Sequence, residues 1–170
     1  KILFFLDQAP RISMILIFPS GIHLAKSLGY LNISYSMVIS IWLIAISWLI
    51  LVCVLHIKGH AVKKLALFDY WLRIMFVLGM SYVFLNIVIN QPEYIWAGKK
   101  ILAFTITVIC GLIIRKKLRS FEPAFVSLIE GKDTAESNQI LKMSIASSRP
   151  FVVLIWACLL FNTSLGLHLI

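Results

Sequence analysis

This sequence has little charge. Only 14% of its residues are charged and seven are acidic, against 61% hydrophobic. That balance lies far outside the range of water-soluble globular domains. No carboxylate dyad, Ser/His/Asp set, phosphate-binding loop or dinucleotide fingerprint occurs, so no familiar enzyme class announces itself. Cysteine is sparse too. Cys53, Cys110 and Cys158 all lie in apolar stretches without CxxC spacing. That pattern argues against a disulfide framework or zinc site and reads as small buried hydrophobes.

What the chain has in quantity is uninterrupted apolar length. Ser36–Ile57 and Phe151–Ile170 hold no acidic or basic residue except terminal histidines. A helix of roughly 20 apolar residues crosses the hydrocarbon core of a bilayer. Shorter or less pure stretches cover 12–31, 67–89 and 101–114. The expected fold is an all-α polytopic transmembrane helical bundle, one integral membrane domain with about five spans. Ile2–Leu6 reads as the tail of an upstream span, which makes about six in a longer protein. No small-residue cleavage site follows it, as a signal peptide would require.

The net charge of +9 does not point to nucleic acid, because the basic residues sit in short clusters beside the apolar stretches. Such clusters suit anionic lipid. Alternating loops put Lys1, Arg11, Lys58, Lys63, Lys64 and the basic residues of 115–149 on one face. The other has Lys99 and Lys100, with Lys26 near it. The positive-inside rule makes the first face cytoplasmic and the C-terminus external. Tyr30, Tyr35, Tyr94 and Trp96 then fall at the outer boundary as an aromatic belt.

Residues 115–149 form the longest polar stretch. Phe121, Ala124, Phe125, Leu128 and Ile129 recur at helical spacing, with Pro123 in the first turn and Gly131 beyond the end. Asp133 precedes Glu136 at capping-box spacing and opens a second helical stretch toward Ala146. The pattern predicts an amphipathic helical hairpin on the inner surface.

Candidate site residues are few. His23 lies mid-span beside Pro19, Ser20 and Gly21, one turn from Lys26. The Pro-Ser-Gly triplet is expected to bend or break the helix, and His23 and Lys26 to face protein or a polar cavity. His23 then suits a haem or copper ligand or a proton relay, or else a histidine bonded to a neighbouring helix. A bis-histidine haem is disfavoured: His23 and His168 lie roughly 17 Å and 27 Å from the inner ends of their spans, at different depths. His56 and His60 share a helical face at metal-compatible spacing, but among lysines that oppose a divalent cation. Asp69 and Arg73, four apart, read as an intramembrane ion pair that locks packing. The five methionines are too scattered for a Cu(I) site and read as core. Asn162, Thr163 and Ser164 are expected to hydrogen-bond between helices.

Two stretches carry a resemblance. LDQAPRISMILIFPSGIHLA (Leu6–Ala25) and RPFVVLIWACLLFNTSLGL (Arg149–Leu167) resemble the entry and closing spans of uncharacterised bacterial inner-membrane proteins. These are loosely similar to the copper-resistance protein D and membrane protoporphyrinogen oxidase superfamily. The resemblance implies a helical bundle in the bacterial inner membrane and raises copper or haem handling, with His23 as the one counterpart for the family's N-terminal-span histidine. The residues themselves favour a non-catalytic accessory or structural subunit. Polar intramembrane groups are scattered in depth and do not converge. No cofactor is expected on that reading, and the partners are the lipid bilayer and other membrane subunits.

Overall fold

The computed structural model describes residues 2–58, 63–131 and 134–166, and among these there is no strand. Six α-helices follow one another: α1 Ile2–Ser27, α2 Tyr35–Lys58, α3 Lys63–Asn90, α4 Ile95–Lys117, α5 Phe121–Ile129 and α6 Thr134–Gly166. Short 3₁₀ turns, Pro92–Tyr94 and Leu118–Ser120, flank α4. Among the described residues, four helices, α2, α3, α4 and α6, are long and apolar enough to cross a membrane. They are helices for the reason any membrane segment is: with no water to bond free amides and carbonyls, the backbone must pair within its own segment.

Stretch 12–31, the expected fifth span, is helical as α1 up to Ser27. The Pro-Ser-Gly triplet does not break it, for α1 continues through Pro19 to Ser27. Pro19 is fully buried, and next to it the Ser20 hydroxyl donates to the Leu16 carbonyl at 2.7 Å.

The chain divides into two compact units, Lys1–Leu72 and Arg73–Ile170, with the boundary inside α3. In the first, α1 and α2 pack together through Ile15, Ala45 and Val52, with Trp48 and Leu49 against them. Their connection is built from backbone geometry. Gly29 takes φ +80°, Tyr30 N–H donates to Ala25 O and Gly29 N–H to Lys26 O. That is a Schellman stop, which needs a left-handed residue that glycine adopts without strain. Ser34 then opens α2, accepting from the Met37 N–H.

In the second unit α4 and α6 form the main contact, and α5 packs on α6. The two long helices are antiparallel. Lys117 Nζ lies 5.6 Å from the Phe151 ring centroid at one end, and at the other a side chain on Gly166 would begin 3.7 Å from Lys100 Nζ. Most of the residues buried on the two helices are small: Gly98, Ala103, Thr105, Thr107 and Cys110 on α4, and Ser144, Ser148 and Cys158 on α6, beside Val108 and Leu165. Lipid tails are as apolar as leucine, so close backbone approach between small residues is what holds such helices together. The cysteines are free, with Cys110 and Cys158 buried as the sequence suggested.

The polar stretch 115–149 takes a different form from a hairpin followed by a span. Its first arm is α5, with Pro123 in the first turn and Gly131 at φ +73° beyond the end. The second arm and the closing span are one helix, α6, which runs unbroken through Pro150. Its 33 residues measure about 50 Å at 1.5 Å per residue, well beyond a hydrocarbon core of about 30 Å. Proline costs α6 one intrahelical donor, and the hydroxyls of Ser147 and Ser148 both turn back to the Ser144 carbonyl just before it. Asp133 lies outside the described residues.

Candidate functional site

Any site in this chain must be assembled from the few polar side chains within its helices. The most deeply held is Asp69 on α3, which is 2% exposed. Trp48 Nε1 on α2 donates to Asp69 Oδ1 at 3.0 Å. A buried indole N–H needs an acceptor, and a buried carboxyl needs donors, so each group meets the other's requirement. The bond links two helices through residues 21 apart in sequence. Arg73 follows Asp69 by one turn of α3 and is half-buried, with contacts of its own. A partner of Asp69 that sequence reasoning missed is Trp48. Its signal was available: a tryptophan in the middle of an apolar span has one donor that lipid cannot satisfy.

Lys26 is half-buried and turned along the α1–α2 connection. Its Nζ donates to the Ile33 carbonyl and lies 4.0 Å from the Tyr35 ring centroid. The ammonium thus meets both a carbonyl and an aromatic face, a favourable setting for a cation at the membrane boundary. His23 does not follow it inward. It is exposed on α1, and its carbonyl accepts from the Ser27 hydroxyl at 3.0 Å. His23 stands four residues after Pro19, on nearly the same side of α1, yet Pro19 is buried and His23 is exposed one turn further on. The packing of α1 against α2 therefore does not form the polar cavity expected around His23.

His56 is half-buried near the end of α2 and makes an interaction of its own. His60 and His168 lie outside the described residues. Among the described residues no three His, Cys, Asp or Glu side chains gather where a metal ion would sit.

The hydroxyls behave differently from the expected interhelical pairs. Thr163 donates to Leu159 O at 2.9 Å and Ser164 to Leu160 O at 3.0 Å, both within α6. Thr105, Thr107, Ser40, Ser47 and Ser148 make the same four-residue return. A short side chain on a helix finds the carbonyl one turn back within reach before any neighbouring helix. Asn162 is the exception, since its Oδ1 is buried with no hydrogen-bond partner. An unmet buried acceptor costs about 1–3 kcal/mol, whereas an apolar group of like shape costs nothing of the kind. Asn162→Leu should therefore stabilise the chain by about 1 kcal/mol. Detergent unfolding followed by circular dichroism checks this; a destabilised variant would mean that the oxygen has a partner.

The class that this architecture defines is an all-α protein with helices of membrane-spanning length. Comparison with protein-family models, curated proteins and solved structures finds no match to the chain.

Proposed function

We propose that this chain is a non-catalytic accessory or structural subunit of a membrane protein complex, carried in a bacterial inner membrane. The observation that supports this is the outer face of α3. Trp71, Met75, Leu78, Tyr82, Leu85 and Ile89 are all exposed, Tyr82 by 71% and Ile89 by 73%. Phe68, Tyr70, Val83 and Val88 are exposed as well, so α3 is uncovered around most of its girth. Only 6% of the α3 span is buried. On the same helix Asn86 and Asn90 are exposed and bonded to each other. Amides on a lipid face are costly. A partner helix from another subunit accounts for both features.

The test is site-specific photocrosslinking from Leu78, Tyr82 and Leu85 in native membranes, with Leu24 on α1 as the comparison position. Discrete crosslinked bands from the α3 positions, absent from Leu24, are expected. Equal and diffuse labelling from all of them would remove the basis for a partner. The same purified protein answers the copper- or haem-handling reading suggested by the resemblance. A Soret band or stoichiometric copper lost in His23→Ala would replace the subunit reading. In the proposed orientation Arg115 and Lys116 face the cytoplasm. Maleimide labelling of Lys116→Cys from outside intact cells should therefore fail.

A further inference from the structure

The α4 and α6 pair carries its own ruler of the membrane. Lys100 and Lys117 mark its two ends, at Gly166 and Phe151 respectively. Seventeen residues of helix between them measure about 25 Å, close to the thickness of a hydrocarbon core. At the Lys117 end both helices change from polar to apolar at one level. On α4 the change falls between Arg115 and Ile114, and on α6 between Arg149 and Phe151.

Arg115, Lys116, Lys117 and Arg119 are all exposed at this level, and so is Arg149. Within one turn beyond Lys117 comes α5, a short helix that leaves part of its apolar side uncovered. Phe125, Val126 and Ile129 are exposed even though α5 packs on α6 through its buried Ala124. A short helix with exposed apolar side chains beside a basic cluster is the arrangement that lies in the headgroup and upper acyl region.

We infer that this end of the α4, α5 and α6 unit is a binding surface for anionic phospholipid headgroups. Arg115, Lys116, Lys117 and Arg119 meet the phosphates, and the exposed side of α5 rests among the upper acyl chains. Arginine offers a planar fork of donors to phosphate oxygens and lysine a mobile point charge, so the cluster suits a layer of phosphates rather than one fixed anion. The apolar side of α5 is what separates a lipid from free phosphate or a nucleic acid. Neither of those supplies chains for Phe125 and Ile129 to enter. The inference is independent of the subunit reading, since it uses a different helix and a different class of partner.

The test uses the full chain purified in mild detergent and titrated with dioleoyl-phosphatidylglycerol, with bound lipid counted by native mass spectrometry. Phosphatidylglycerol should bind in preference to phosphatidylcholine of the same acyl chains, and added salt should weaken it. Each charge removed should weaken binding on the order of fivefold. Lys116→Gln is the single variant, and Arg115→Gln, Lys116→Gln, Lys117→Gln and Arg119→Gln together are the combined one. Lys99→Gln with Lys100→Gln, which removes charge from the opposite end of α4, should leave binding unchanged. Millimolar inorganic phosphate should not displace the lipid. Undiminished phosphatidylglycerol binding in Lys116→Gln, equal uptake of phosphatidylcholine, or displacement by phosphate alone would each overturn the inference. Lys116 is exposed and outside the helix interface, so the single variant remains informative if the combined one does not fold.

Discussion

Replacing Trp48 with phenylalanine should cost this protein about 2 kcal/mol of stability, among the largest effects expected of any single side chain. The variant keeps most of the aromatic volume and removes one donor, leaving Asp69 Oδ1 buried without its indole partner. Two magnitudes compete here. A buried acceptor deprived of its partner costs about 1–3 kcal/mol in proteins generally, while interhelical hydrogen bonds in membranes average about 0.6 kcal/mol with a maximum near 1.7. The single variant should lie toward the first figure, because the carboxyl stays in place and loses the indole donor. The coupling in a double-mutant cycle with Asp69→Leu should lie toward the second. The cycle is read by detergent unfolding of the four proteins. If the two single losses simply add, the bond does not tie α2 to α3.

Gly98 on α4 should show an equally large effect of a different kind. A β-carbon there would meet Ile87 Cγ2 at 3.2 Å and Phe84 Cδ2 at 3.5 Å, both on α3. Gly98→Ala sets a tight contact against the gain of about 1 kcal/mol in helix propensity, and the two should nearly cancel. Gly98→Leu has no such offset. It drives a branched side chain into a closed contact and should cost about 3 kcal/mol. Gly111 supplies the internal control, because nothing lies within 4 Å of the position where its β-carbon would sit. Gly111→Ala should stabilise by about 0.5–1 kcal/mol. A Gly98→Leu protein that unfolds at the same detergent concentration as the parent would show that α3 does not press on α4 there.

Both predictions concern contacts that were hard to read before the helices were placed. The termini of the elements were more accessible. Pro123 and Gly131 bracket α5 because proline suits a first turn and glycine a left-handed stop, and these are local requirements of the backbone. Pro19 and Pro150 do not end the helices they lie in. In water a proline inside a helix exposes a carbonyl to solvent and ends or kinks the helix; in α1 and α6 the helix carries on, with serine hydroxyls beside it engaging carbonyls of the preceding turn. The hydroxyls of Thr163 and Ser164 were misassigned for a related reason. Their own helix offers an acceptor one turn back, so polarity alone does not imply an interhelical partner.

The amino-acid sequence by itself determined that the chain is helical and of membrane length, since stretches such as 36–57 have no other way to satisfy their backbone in lipid. It also placed the basic residues at the helix ends, where charge can reach the headgroups. The tertiary structure alone decided which faces are buried, that residues 134–166 form one helix, that Trp48 meets Asp69, and that Pro19 is buried while His23, one turn on, is exposed. The physical reason lies in the solvent. A helix in water is apolar on one side only, and that asymmetry announces its core. A helix in lipid is apolar on every side, so its buried face is chosen by small-residue fit and by single hydrogen bonds that no periodicity reveals.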